Sequence, residues 1–185
     1  MFDYPVDAPK DNPVALWRLQ WLLLGEAESA LGPRDHSKQI YQPIISNRGP
    51  LIINTPNLDG AFVELSANAG GYWPTAIYEM AHETVHLLNP VVGATNWFEE
   101  GIAVHFSLHA QSIFTKTRPQ SPTLASYQRA LQLVRSIPGD SFLAAKIVRA
   151  TAGALSSATP GALITACPTI DRTLAELLCE ECIPR

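Results

Sequence analysis

The chain has 185 residues, of which 46% are hydrophobic and 16% charged, and its formal net charge is −4. This length fits one domain with a sizeable core, and the many apolar and few charged residues are unlike those of intrinsically disordered chains. The slight excess of acids also argues against a nucleic-acid binder that works through a basic surface.

The N-terminal region predicts a chain without a secretory signal or a membrane span. Met1 to Pro5 contain an acid and a proline, where a signal peptide needs basic residues and then an apolar run. The most apolar stretch, Val14 to Leu24, is interrupted by Arg18 and Gln20 and is shorter than the roughly 20 residues that span a bilayer. We therefore expect a cytoplasmic protein.

The predicted elements begin with a helix from Pro13 to about Leu31, because Asp11 and Asn12 offer an N-cap before an apolar-periodic stretch. Short apolar runs separated by turn residues then predict strands at Pro43–Ile45, Leu51–Ile53 and Ala61–Leu65. Helices with prolines between them follow at about Trp73–Asn89, Trp97–Phe114, Leu124–Ile137, Ser141–Ala154 and Thr169–Cys182. This order predicts an α+β fold.

The sequence His82-Glu83-Thr84-Val85-His86 lies in the helix predicted before Pro90. Residues four apart on a helix share a face, so both imidazoles can direct a ring nitrogen at one zinc ion. The Glu83 carboxylate can reach a metal-bound water without itself being a ligand. The spacing predicts a zinc site that needs a third protein ligand. The alternative is two exposed histidines on either side of a solvated acid.

The next predicted helix opens with Asn-Trp-Phe-Glu-Glu-Gly-Ile-Ala-Val-His, residues 96–105. Together with the upstream histidines, it resembles the gluzincin metallopeptidases, a group that includes the thermolysin-like and aminopeptidase-like catalytic cores. Their second helix often carries the third zinc ligand in an x-Glu-Gly-apolar-Ala pattern. The resemblance implies Glu100 as the ligand and Glu99 as an acid favoured by the helix dipole. It covers about Ala61 to Ile137.

The resemblance also implies a fold, namely one zincin-like α+β domain over residues 1–185. Residues 1–95 would form the first helix, a small and mostly antiparallel sheet, and the active-site helix. Residues 96–185 would form the glutamate helix and a helical subdomain.

A further match begins at Ala125, where Ser126-Tyr127 resembles the Ser-Tyr segment that opens a helix in gluzincin aminopeptidases. The resemblance implies that the Tyr127 hydroxyl stabilises the oxyanion. Packing of the tyrosine ring at the boundary of an amphipathic helix is the other interpretation.

The strand Gly60–Ser66 precedes the zinc helix, as the edge strand does in that family. An exposed edge near Ala61–Ser66 would hold an extended peptide by β-augmentation. A half-buried strand with Glu64 facing solvent is the other interpretation.

These residues predict a zinc metallopeptidase in which His82, His86 and Glu100 hold Zn²⁺ and Glu83 is the general base for peptide-bond hydrolysis. The chain lacks the Gly-x-Met-Glu-Asn segment with which related aminopeptidases capture a free amino terminus, so we expect an endopeptidase acting on a peptide or protein. We expect no nucleic-acid or membrane partner. The alternative is a binding or regulatory module that keeps a structural or vestigial zinc site. Hydrolysis of a non-peptide amide is a third option.

The three cysteines, Cys167, Cys179 and Cys182, all lie near the C-terminus. An odd number without a signal peptide predicts reduced thiols. Cys179 and Cys182 form a C-x-x-C sequence, but without a second pair we favour helix packing over a metal or redox role.

Overall fold

A computed structural model describes Asp3 and residues 5–182 of the chain. Within these residues there are eight α-helices and one four-stranded sheet. The helices are α1 (Pro13–Leu31), α2 (Ala67–Gly71), α3 (Trp73–Leu87), α4 (Trp97–Phe114), α5 (Ala125–Arg135), α6 (Ser141–Ala152), α7 (Pro160–Ala166) and α8 (Arg172–Leu178). The strands are β1 (Gln39–Ile40), β2 (Ile44–Ile45), β3 (Leu51–Asn54) and β4 (Gly60–Leu65). The predicted α+β class and helical C-terminal half are confirmed.

Most predicted elements are present with small shifts at their ends, and α4 has the predicted bounds. Two short helices, α2 and α7, were not predicted, and the predicted helix Thr169–Cys182 is reduced to α8. No helix in the described part of the chain is both long and apolar enough to cross a membrane. The prediction about a signal peptide falls largely on residues 1, 2 and 4, which lie outside the described residues.

The sheet corrects the prediction of a mostly antiparallel arrangement. Both β1 and β2 pair parallel with β4, and β3 pairs antiparallel with it. The carbonyl groups of Asp59, Ala61 and Leu65 accept hydrogen bonds from the β1–β2 side, whereas that of Gly60 accepts one from the β3 side. Since successive residues of a strand direct these groups to opposite edges, β4 lies between the other strands.

The loop 46–50 explains why β2 and β3 pair with opposite edges of β4, because it carries the chain from one edge of β4 to the other. Gly49 lies against the main chain at the end of β4, where a Cβ atom would collide with the carbonyl group of Glu64. Only glycine therefore permits this crossing. The Glu64 carboxylate also holds the loop, by accepting hydrogen bonds from the Ser46 hydroxyl and from Nε (3.0 Å) and Nη2 (2.6 Å) of Arg48.

Glu64 is fully buried, which corrects the interpretation that it faces solvent. The hydrogen bond from Ser46, followed by that from Arg48, keeps the pKa of Glu64 below its usual value. The carboxylate is therefore ionised at neutral pH, and it forms an ion pair with the exposed side chain of Arg48.

The central position of β4 also corrects the prediction that residues 61–66 form an exposed edge. Strands occupy both edges of β4, so a peptide cannot add to it as a further strand. The outer edge of β3 is different, because no strand in the described part of the chain pairs with it. The main-chain N–H and C=O groups of Ile52 and Asn54 point to this outer edge. They alternate along β3 with the groups of Leu51 and Ile53, which face β4.

The chain divides into two compact units, and the first contains residues up to 28, 34–92 and 106–120. In this unit α3 packs against α2, β3 and β4. Many of its buried side chains are aliphatic, and they include Leu19 and Leu23 of α1. The first unit thus provides a buried setting for the helix that carries both candidate histidines.

The second unit contains residues 29–33, 93–105 and the chain from 121 onward. In it α7 packs against α6 and α8, and α5 also contacts α8. The buried guanidinium group of Arg149 donates to the carbonyl groups of residues 31–33, at 2.7–2.9 Å, and so caps the C-terminal end of α1 with a positive charge. The prediction of one domain over residues 1–185 stays a prediction.

Candidate metal centre

His82 and His86 lie one turn apart on α3, and their ring centroids are 5.1 Å apart. Their side chains share a face because the helix is unbroken from Trp73 to Leu87. It ends shortly before Pro90, as expected, since the residue preceding a proline disfavours helical geometry. Both histidines are buried, with exposures of 3% and 7%.

Thr84 anchors the opposite face of the same turn. Its hydroxyl donates to the carbonyl oxygen of Met80 at 2.6 Å and accepts from Nε2 of Gln20 at 2.8 Å. Gln20 belongs to α1, and both Gln20 and Thr84 are fully buried. A buried hydrogen bond of this kind fixes the rotation of α3, and therefore the direction of the two imidazoles.

Glu100 lies in the first turn of α4, which Asn96 caps by accepting the N–H of Glu99 at 2.8 Å. The side-chain amide of Asn96 also donates to the carbonyl group of Leu155 at 2.9 Å, so the cap itself is held in place. The hydroxyl of Thr95 donates to Oε1 of Glu100 at 2.8 Å. Glu100 is 5% exposed.

Gly101 allows close packing of α5 against the turn that carries Glu100. A Cβ atom at Gly101 would collide with the carbonyl oxygen of Ala130 and with the side chain of Val134, both on α5. Any other residue would therefore push the two helices apart. This contact explains in physical terms why a glycine follows Glu100.

The structure brings His82, His86 and Glu100 together. One imidazole nitrogen from each histidine and one carboxylate oxygen of Glu100 all lie within 4.8 Å of one another. Imidazole and carboxylate donors suit divalent transition metals such as zinc, and burial shields them from competing water. The group could therefore hold a metal ion, as the sequence predicts.

The other predicted site residues are placed as follows. Glu83, the predicted base, follows His82 on α3 and is 4% exposed. Glu99 is also buried, but it does not belong to the three-residue group found among the described residues. Tyr127, the predicted oxyanion donor, is half-buried in the first turn of α5. Its role stays a prediction.

Two further histidines on α4 contact other parts of the chain. The Nδ1 atom of His105 lies 3.1 Å from Oγ of Ser141, and its ring stacks on Phe142 with centroids 4.7 Å apart. Nε2 of His109 lies 2.9 Å from a carboxylate oxygen of Glu26. Both rings therefore pack against other parts of the chain.

All three cysteines are free thiols, and Cys167 and Cys182 are buried. Burial raises the pKa of Cys179 to about 11. Burial and then the Glu100 carboxylate raise the pKa of Cys182 to about 12. Thiols that stay protonated at neutral pH are poor nucleophiles, which argues against a redox role for this pair.

Sequence reasoning missed the supporting residues Gln20 and Thr95. Gln20 bonds Thr84 on another helix and Thr95 bonds Glu100, and neither hydrogen bond has a recognised sequence pattern that predicts it. Searches with the chain against protein-family models, curated proteins and solved structures found no match.

Proposed function

We propose that this protein is a zinc-dependent peptidase. The observation that carries the proposal is the buried group of His82, His86 and Glu100, with the acid Glu83 directly after the first histidine. An acid one residue after the first histidine can reach a metal-bound water without being a ligand, and a purely structural metal site has no use for an acid at that position. A general base for hydrolysis accounts for its presence.

The number and kind of ligands favour zinc in a catalytic role. Catalytic zinc sites have three protein ligands and leave a position for water or substrate, whereas structural sites use four protein ligands, often cysteines. Among the described residues, no fourth histidine, cysteine or acid joins the group, although Cys182 lies near Glu100. The ligand set is therefore that of an open site.

Zinc, when bound, polarises water and the scissile carbonyl group and lowers the pKa of the water towards about 7. Glu83 then accepts the proton of the attacking water on a carboxylate oxygen and passes it to the nitrogen of the leaving amine. Tyr127 donates a hydrogen bond to the developing oxyanion. The hydrogen bond between Gln20 and Thr84 fixes α3, which carries the two imidazoles, and Thr95 holds the Glu100 carboxylate.

The substrate that fits this site is an extended peptide or protein segment. Because β4 is enclosed by other strands, the outer edge of β3 is the place where such a segment would bind as an added strand. Ile52 and Asn54 would provide its main-chain hydrogen bonds.

Cleavage profiling of a denatured proteome tests the proposal. Three samples of the protein are incubated with the proteome. The first is zinc-loaded, the second has had its zinc removed by a chelator, and the third has had zinc restored after removal. We expect new peptide termini in the first and third samples and none in the second. Zinc content is measured in the same preparations. A protein that holds zinc but produces no new termini would instead be a zinc-binding or regulatory module.

A further inference from the structure

We propose that the segment Glu180–Cys182, here called the C-terminal strap, positions Glu100 for metal binding through Thr95. The inference rests on the metal site proposed above. It adds to that site a segment that lies about 80 residues after Glu100 in the sequence. The strap, Thr95 and Glu100 all belong to the second compact unit.

The strap fixes the main chain just before α4. Glu181 forms an antiparallel bridge with Asn96. On one side of this bridge the N–H of Trp97 donates to the carbonyl oxygen of Glu180 at 3.1 Å, and on the other the N–H of Cys182 donates to that of Thr95 at 2.9 Å. These two hydrogen bonds, one on each side of the bridge, leave the segment from Thr95 to Trp97 little freedom.

The opening residue of α4 is held from a further direction. The guanidinium carbon of Arg129 lies 4.8 Å from the ring centroid of Trp97, within the range of a cation–π interaction. The strap and Arg129 thus hold Trp97 through its main chain and its side chain, respectively.

Thr95 transmits this constraint to the metal ligand. Its hydroxyl donates to Oε1 of Glu100, and a donor on one carboxylate oxygen fixes the plane in which the other oxygen lies. The hydroxyl is not needed to cap α4, because Asn96 already accepts the N–H of Glu99. Hydrogen bonds that orient metal ligands in this way commonly change metal affinity by about 10–100-fold.

Substitution of Thr95 tests the inference with a matched pair. Thr95→Val keeps the shape of the side chain and removes the hydroxyl, whereas Thr95→Ser keeps the hydroxyl. We expect Thr95→Val to weaken zinc binding about 10-fold and Thr95→Ser to stay within about threefold of the original protein. Zinc affinity is measured by competition with a chelating dye. Melting of the zinc-free proteins shows whether both variants are folded.

A second pair tests the strap itself. Cys182→Pro removes the N–H that donates to Thr95, and Cys182→Ala removes the thiol but keeps that N–H. We expect zinc affinity to be about 10-fold lower in Cys182→Pro than in Cys182→Ala. Equal zinc affinity in Cys182→Pro and Cys182→Ala would overturn the role of the strap. If Cys182→Pro does not fold, the Thr95 pair still tests the hydrogen bond through which the strap is proposed to act.

The possible outcomes separate the strap from the proposed function. Equal zinc affinity in Thr95→Val and Thr95→Ser would overturn the strap inference and leave the metal site intact. If the original protein binds no zinc, the proposed function fails, and the strap inference fails with it.

Discussion

Glu83→Gln is expected to leave zinc binding unchanged and to abolish peptide hydrolysis. Glutamine has the size of glutamate and can still accept a hydrogen bond, but it cannot take a proton from water at neutral pH. General acid–base catalysis contributes roughly 10²–10⁴-fold, and here one group serves both proton transfers. We therefore expect kcat/KM to fall by at least about 10³-fold.

The matched control for this variant is Glu79→Gln, the same substitution one turn earlier on α3. Glu79 accepts hydrogen bonds from the N–H (2.9 Å) and the hydroxyl (2.6 Å) of Ser66, so it has a structural partner outside the metal group. Its replacement should lower stability and leave activity within about threefold. Activity is measured on a peptide identified by cleavage profiling, together with zinc content. If Glu83→Gln cleaves as fast as the original protein, the proposed mechanism is wrong.

Glu100→Gln is expected to lower zinc affinity by at least about 100-fold, because a neutral amide oxygen replaces a charged ligand. Glu99→Gln is the matched control, since Glu99 is equally buried on the same helical turn but outside the metal group. We expect its zinc affinity to change by less than about threefold.

Competition titration measures both affinities, and circular dichroism of the zinc-free proteins checks that each variant is folded. The opposite pattern, with binding lost in Glu99→Gln and kept in Glu100→Gln, would mean that the wrong acid has been assigned as the third ligand.

Local periodicity is enough to predict two of the three residues of the metal group. The placement of His82 and His86 on one face follows from helical geometry once α3 is recognised, and α3 has clear boundaries in sequence. The prediction of Glu100 as the third ligand depends on the resemblance to a known family. No local rule states which of the two adjacent acids on α4 belongs to the metal group.

Strand pairing is the part of the fold that local patterns could not predict. Apolar runs indicate that strands exist, but each run carries no mark of its partner. The pairing depends instead on Gly49, which lets the chain cross the end of β4, and on the buried Glu64, which holds that crossing. Their contacts are visible only in the folded chain.

The short helices were missed for a different reason. Thr159 before Pro160 is a recognisable start signal, and its hydroxyl does accept the N–H of Ala162. Ser66 caps α2 in the same way. Both short helices therefore have a start signal in the sequence. Thr95 and the C-terminal strap, in contrast, meet only through tertiary contacts and could not be read from the sequence.

An anomalous-scattering map from crystals of the zinc-loaded protein, measured on both sides of the zinc absorption edge, tests the central claim most directly. The expected result is one peak bound by ring nitrogens of His82 and His86 and by the carboxylate of Glu100, at about 2.0–2.2 Å. Absence of a peak at this group, or a peak with Glu99 or Cys182 in place of Glu100, would contradict the proposed site.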